Sequence, residues 1–69
     1  MNENILQGKW MQIKGGVRQQ WGKLTHDDLD WVQGNYEQLL GLIQERYGFA
    51  RDKAKAELDQ FLQKHQSNG

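Results

Sequence analysis

The sequence predicts an all-α, four-helix single domain, built as two αα-hairpins packed across one another and derived from an internal duplication. Three observations lead to this. A 16-residue pattern recurs at an offset of 26 residues with no gap. Within each copy the apolar residues return at the helical period. No strand pattern is visible anywhere in the chain.

The first copy is residues 7–22, QGKWMQIKGGVRQQWG, and the second is residues 33–48, QGNYEQLLGLIQERYG. Gln7/Gln33, Gly8/Gly34, Gln12/Gln38, Gly15/Gly41 and Gly22/Gly48 are identical. Trp10/Tyr36, Ile13/Leu39, Val17/Ile43 and Trp21/Tyr47 keep their chemistry. Chance does not readily match glycines and aromatics together, so the pattern is read as one duplicated structural unit.

The first helix carries Leu6, Trp10, Ile13, Val17 and Trp21 within one narrow stripe at about 100° per residue. The stripe reads as core rather than as a ligand site. Thr25 then stands before His26-Asp27-Asp28, an N-cap followed by acids in a first turn. Thr25 and Asp28 have the spacing of a capping box. A short helix over 26–32 follows, burying Leu29 and one of Trp31 or Val32.

In the next helix Tyr36, Leu39, Ile43 and Tyr47 repeat the first stripe, but Lys14 and Gly16 are replaced by Leu40 and Leu42. That wider apolar arc makes this the expected central helix, with the first helix packing along one edge. The last helix is expected over 51–64, with Ala54, Leu58, Phe61, Leu62 and His65 on its apolar side. Ala50 stands where a capping residue would be expected. The domain is placed at 1–65 and a frayed tail at 66–69.

Each copy ends in an aromatic and a glycine, so Gly22 and Gly48 are expected in the left-handed position past a helix end. Phe49 is placed to pack back on the last turn, with Ile43 as a candidate contact. Gly8, Gly15, Gly34 and Gly41 are read as mid-helix, each costing about 1 kcal/mol relative to Ala. They either admit a close backbone approach or persist as relics of duplication; the pattern fits both.

With 69 residues, a core this thin gives about 3–5 kcal/mol of net stability. The chain has no Cys, so it has neither a disulfide staple nor a thiolate metal site. The N-terminus lacks a signal-peptide pattern, and no apolar run approaches the roughly 20 residues of a membrane span. A cytoplasmic protein without membrane attachment is expected.

Nine basic and nine acidic side chains give zero formal net charge, against a dedicated nucleic-acid binder. The charge is nevertheless uneven. Residues 1–24 carry +3, from Lys9, Lys14, Arg18 and Lys23 against Glu3. Residues 25–37 carry −4, from Asp27, Asp28, Asp30 and Glu37.

Little here points to catalysis. The only Ser is Ser67, near the end of the chain. The cluster His26-Asp27-Asp28 and Asp30 matches no EF-hand or zinc spacing, and the helix dipole accounts for its acids. No catalytic residue, cofactor or metal is expected, and the chain is read as a non-enzyme. The paired hairpins resemble helix-hairpin-helix DNA binders, but each loop offers one Gly and the first loop runs into three acids. The candidate interaction face is Lys9, Lys14, Arg18 and Lys23 on and after the first helix. The sequence names no partner; a protein partner or weak self-association is one alternative, for which Met11 or Leu42, if left outside the core, is the natural anchor.

Taken together, Trp21-Gly22-Lys23-Leu24-Thr25, Asp27-Asp28-Leu29, Gly34 and Gln44-Glu45-Arg46-Tyr47-Gly48 resemble the CsbD-like family of small bacterial stress-response proteins. The resemblance covers about residues 7–62. It implies four helices in two roughly orthogonal α-hairpins, similar to SAM-like domains, and expression under general stress in a bacterial cytoplasm. It implies no catalytic residues. Gly16 and Leu42 stand where the family pattern more often has Lys, which weakens a basic-face reading. The leading expectation is binding or protection rather than catalysis, with nucleic-acid binding through the first helix and a helical protein-interaction module as alternatives. The mean hydropathy of −0.97 resembles that of hydrophilic protectants, whereas the aromatic stripes require a folded core.

Overall fold

A short helix is stabilised mainly by packing its apolar face against a neighbour, and here one helix serves as neighbour to two others. The computed structural model describes residues 6–67. They form α1 (Trp10–Gln20), α2 (His26–Val32), α3 (Tyr36–Tyr47) and α4 (Arg51–Ser67), preceded by helical residues at 6–8. The protein is all-helical, with no strand among the described residues.

The first expected helix is interrupted once. Lys9 leaves the helical region at φ −117°, ψ 17°, and its carbonyl accepts from Gln12 N–H at 2.9 Å and Ile13 N–H at 3.0 Å. The stripe nonetheless stays continuous. Leu6, Trp10, Ile13, Val17 and Trp21 are all buried, as the period requires.

α2 occupies the expected span, and its capping box is present in full. Thr25 Oγ1 accepts from Asp28 N–H at 3.1 Å, and Asp28 Oδ2 accepts from Thr25 N–H at 3.0 Å. Two of the orphan donors of the first turn are satisfied in this way. Leu29 and Val32 turn inward, which leaves Trp31 outside.

α3 is central. It packs against both α2 and α4, and buries Tyr36, Leu39, Leu40, Leu42 and Ile43. Leu40 and Leu42 supply the width that the first copy lacks. Asn35 starts the helix, its Oδ1 accepting from Gln38 N–H at 3.0 Å. α4 lays Ala54, Leu58, Phe61 and Leu62 on the same core and runs to Ser67, three residues past the expected Lys64. Residues 68–69 of the expected tail lie outside the described residues.

The glycines correct two expectations. Gly48 is left-handed at φ 71°, as expected after α3. Gly22 is not, because α1 ends through an extended step at Trp21 (φ −122°, ψ 79°), followed by a turn in which Leu24 N–H donates to Trp21 C=O at 3.0 Å. This turn drives both the indole and Leu24 into the core. Gly34 is not mid-helix. It follows Gln33 in the left-handed turn between α2 and α3, at φ 82°. A Cβ there would lie 3.2 Å from Gln7 Cα and Trp10 Cβ, so the chain crosses the start of α1 where only hydrogen fits. Gly16 is likewise a contact point, with Phe61 and His65 of α4 within 3.3 Å of its missing Cβ.

Candidate functional site

Three of the four repeated aromatics, Trp21, Tyr36 and Tyr47, reach across the fold with their polar ends. Trp21 Nε1 donates to Glu57 Oε1 at 3.3 Å, and the indole meets Phe61 edge-on at 5.2 Å. Tyr36 Oη donates to Asp59 Oδ1 at 2.6 Å and accepts from Lys55 Nζ at 3.3 Å. Burial, then the bond to Asp59, raises the Tyr36 hydroxyl above its ordinary pKa. Tyr47 is half-buried, stacks on Phe49 at 5.4 Å, and its hydroxyl accepts from Lys23 N–H at 3.2 Å. Buried aromatics with a polar tip need such partners.

The four basic residues on and around the first helix do not form one face. Lys9 stands at the N-cap and Arg18 two and a half turns further on, hence on the opposite side of α1. Lys14 is tied to Asp30 at 3.3 Å. Lys23 lies with its ammonium 5.1 Å above the Tyr47 ring. Arg18 is exposed and makes no ion pair among the described residues.

The acidic cluster of α2 is likewise dispersed. Asp28 turns to Thr25 and to Arg46 Nη2 at 3.0 Å, which together hold its carboxyl below the usual value. Asp30 faces Lys14 and lies 3.6 Å from His26. Asp27 is exposed. These carboxylates serve a helix cap and surface pairs rather than converging on one point.

What the fold does assemble is an apolar groove on the outer side of α2 and α3. Its volume is about 390 Å³, and it is lined by Trp31, Glu37, Gln38, Gly41, Leu42 and Glu45. Trp31 is 59% exposed. Gly41 forms part of the floor, with nothing within 4 Å of the place its Cβ would occupy. Leu42 is only 7% exposed, so it is not the free anchor considered from the sequence, whereas Met11 on α1 is 83% exposed. Glu37 and Glu45 form the rim and are held by exposed arginines, Arg51 and Arg46 respectively, both at 3.2 Å. A second, larger depression of about 560 Å³ lies between the end of α1 and α4, but its lining is mostly Gln, Glu and Lys, with Phe61 its single apolar side chain.

The groove is an apolar surface flanked by two glutamate–arginine pairs. Sequence reasoning did not find it, because the choice between Trp31 and Val32 as the buried residue was open. Asn35 was missed too, although Asn three residues before Gln38 is a readable cap signal.

The described residues form a small all-helical domain around a single shared core, and its kin are well defined. The CsbD-like family model matches residues 4–56, and the chain belongs to that family, as one of its YjbJ-type members. The UPF0337 protein YjbJ of Escherichia coli O6:H1 is 48% identical over 65 residues, 94% of each chain. YjbJ of Escherichia coli K12 is 50% identical over 58 residues, 84% of each chain. The UPF0337 protein XAC4007 of Xanthomonas axonopodis pv. citri is 49% identical over 61 residues, 88% of each chain. No solved structure is significantly similar.

Proposed function

We propose that this protein is a bacterial stress-response accessory that acts by binding rather than by catalysis, with the groove at Trp31, Gly41 and Leu42 as its contact surface. Membership of the CsbD-like family supports the stress setting. The observation that carries the binding reading is Trp31. A Trp 59% exposed beside a bare helix backbone is the anchor chemistry of an interaction surface. The fold is read, within the same proposal, as two α-hairpins of SAM-like arrangement from a duplicated unit; the shared stripes of α1 and α3 support it.

A nucleic-acid interface on α1 has less behind it. Lys14 is neutralised by Asp30, and Lys9 and Arg18 face apart. The reading places the protein in the cytoplasm; no described helix is long and apolar enough to cross a membrane.

The test is complementation. A bacterial strain lacking its own CsbD-like protein receives either the wild-type chain or Trp31→Ala, and survival of osmotic challenge is scored. Wild type restores survival, and Trp31→Ala, accumulating to the same level, does not. Equal restoration by both would remove the groove from the function.

A further inference from the structure

Three helical glycines, Gly8, Gly15 and Gly41, have no contact that a side chain would disturb, and two of them lie within complete helices. Gly15 of α1 and Gly41 of α3 occupy the same position in the two repeats, and neither has any atom within 4 Å of its missing Cβ. Alanine would fit at both and would strengthen each helix. Their exposed backbones invite the close approach of another helix, which side chains at those positions would hold off.

The surroundings of these glycines differ in sign. On α1 Gly15 lies between Met11 and Arg18, spaced at four and three residues and so on one face. Met11 is 83% exposed, and Arg18 has no ion-pair partner among the described residues. On α3 Gly41 lies between Glu37 and Glu45, again on one face. Trp31 walls this groove, and Asp27, one turn before Trp31 on α2, is exposed with no described ion pair.

We propose that the groove's occupant is a second copy of this chain, docked head-to-tail. The Met11–Gly15–Arg18 face of one copy enters the Trp31–Gly41–Leu42 groove of the next. Met11 fills the groove against Trp31, a favourable sulfur–aromatic contact. The helices cross at their glycines. Arg18 meets Asp27 and the Glu37 and Glu45 rim, whose present partners are exposed arginines held by weak surface pairs. Groove-to-groove docking would leave the exposed Met11 and Arg18 uncovered. A contact between two different faces leaves one of each free, so assembly continues beyond a dimer unless a ring closes. Stress-induced abundance would then turn a monomer into a larger assembly. The inference rests on the groove being a docking site.

The experiment is sedimentation of the full chain up to about 1 mM, at about 20 mM and about 500 mM salt. The mass is expected to rise with concentration above 8.1 kDa, and less so at high salt. Met11→Glu disables one face, and Gly41→Gln disables the other without touching the core. Each variant alone is expected to stay monomeric, whereas an equimolar mixture forms a one-to-one dimer and nothing larger. Helical circular dichroism melts confirm that both variants fold. A wild-type chain that stays monomeric throughout overturns the proposal, as does association that survives either substitution or a mixture that does not dimerise. Complementation with Trp31→Ala reports on the groove separately, so a monomeric chain whose Trp31→Ala variant still fails in cells would refute self-docking alone.

Discussion

The indole Nε1 of Trp21 donates to Glu57 Oε1 at 3.3 Å and ties the end of α1 to the middle of α4, 36 residues away in sequence. The indole is 1% exposed, so its N–H has almost no access to water. Glu57 is therefore a structural residue, although it stands on a polar stretch of α4. Glu57→Ala leaves a buried donor unpaired and is expected to cost about 1–3 kcal/mol. In a domain of this size each kcal/mol lowers Tm by about 4–8 °C. Thermal melts should show that loss for Glu57→Ala and almost none for Gln63→Ala, which is exposed on the same helix.

The inequivalence of the two repeats is measurable at one matched pair. Leu40 is fully buried, and its counterpart Lys14 is a partly exposed surface cation paired with Asp30. Leu40→Ala is expected to cost about 2–5 kcal/mol. Since the whole domain holds about 3–5 kcal/mol, the variant should keep little net stability, with a measurable unfolded fraction near room temperature. Lys14→Ala loses only an exposed pair, about 0.2–1 kcal/mol. Urea denaturation of both variants checks the contrast.

Acid should act through Asp28. Its carboxyl is held below the ordinary 3.8, first by the Thr25 backbone N–H and then by Arg46. As pH falls the unfolded chain takes up this proton first. The stabilisation is full above the unfolded value and is lost as pH falls through the folded one. Melts between about pH 5 and about pH 3 should decline for wild type and decline less for Asp28→Asn, which has already lost the charge. Thr25→Ala, which removes the other half of the box, should cost about 1 kcal/mol at neutral pH.

The alkaline limb belongs to Tyr36. Its hydroxyl titrates above the ordinary 10.0, by burial and by donation to Asp59. The folded state thus keeps a proton that the unfolded state releases, and stability falls as pH rises from 10.0 through the folded value. Phenolate absorbance should show Tyr36 ionising late in the folded protein, and the late step should vanish in Tyr36→Phe.

Three glycines should respond in three ways to alanine. Gly41→Ala, in open space within α3, should stabilise the monomer by about 1 kcal/mol. Gly48→Ala should destabilise through its positive φ alone. Gly34→Ala should be the most damaging, since the added methyl meets Gln7 and Trp10 at 3.2 Å on a backbone already left-handed. Tm values of the three variants give the order directly.

By itself the sequence determined the helices and their inner faces. The stripe from Leu6 to Trp21, the box at Thr25 and Asp28, the bounds of α2 and the central place of α3 are local properties. Each depends on residues within a turn or two, where the helical period and cap chemistry decide the outcome. The tertiary structure decided what depends on residues far apart. Gly22 and Gly34 look equivalent to Gly48 and Gly8 in the repeat, but their backbones answer to where Leu24 must be buried and where the α2–α3 turn crosses Trp10. The partners of Trp21, Tyr36 and Lys14 lie 36, 23 and 16 residues away, beyond any local rule. The outward turn of Trp31 has the same origin. One helix turn can bury only one of Trp31 and Val32 beside Leu29, and the packing of α2 on α3 selects Val32, leaving the groove open beside Gly41.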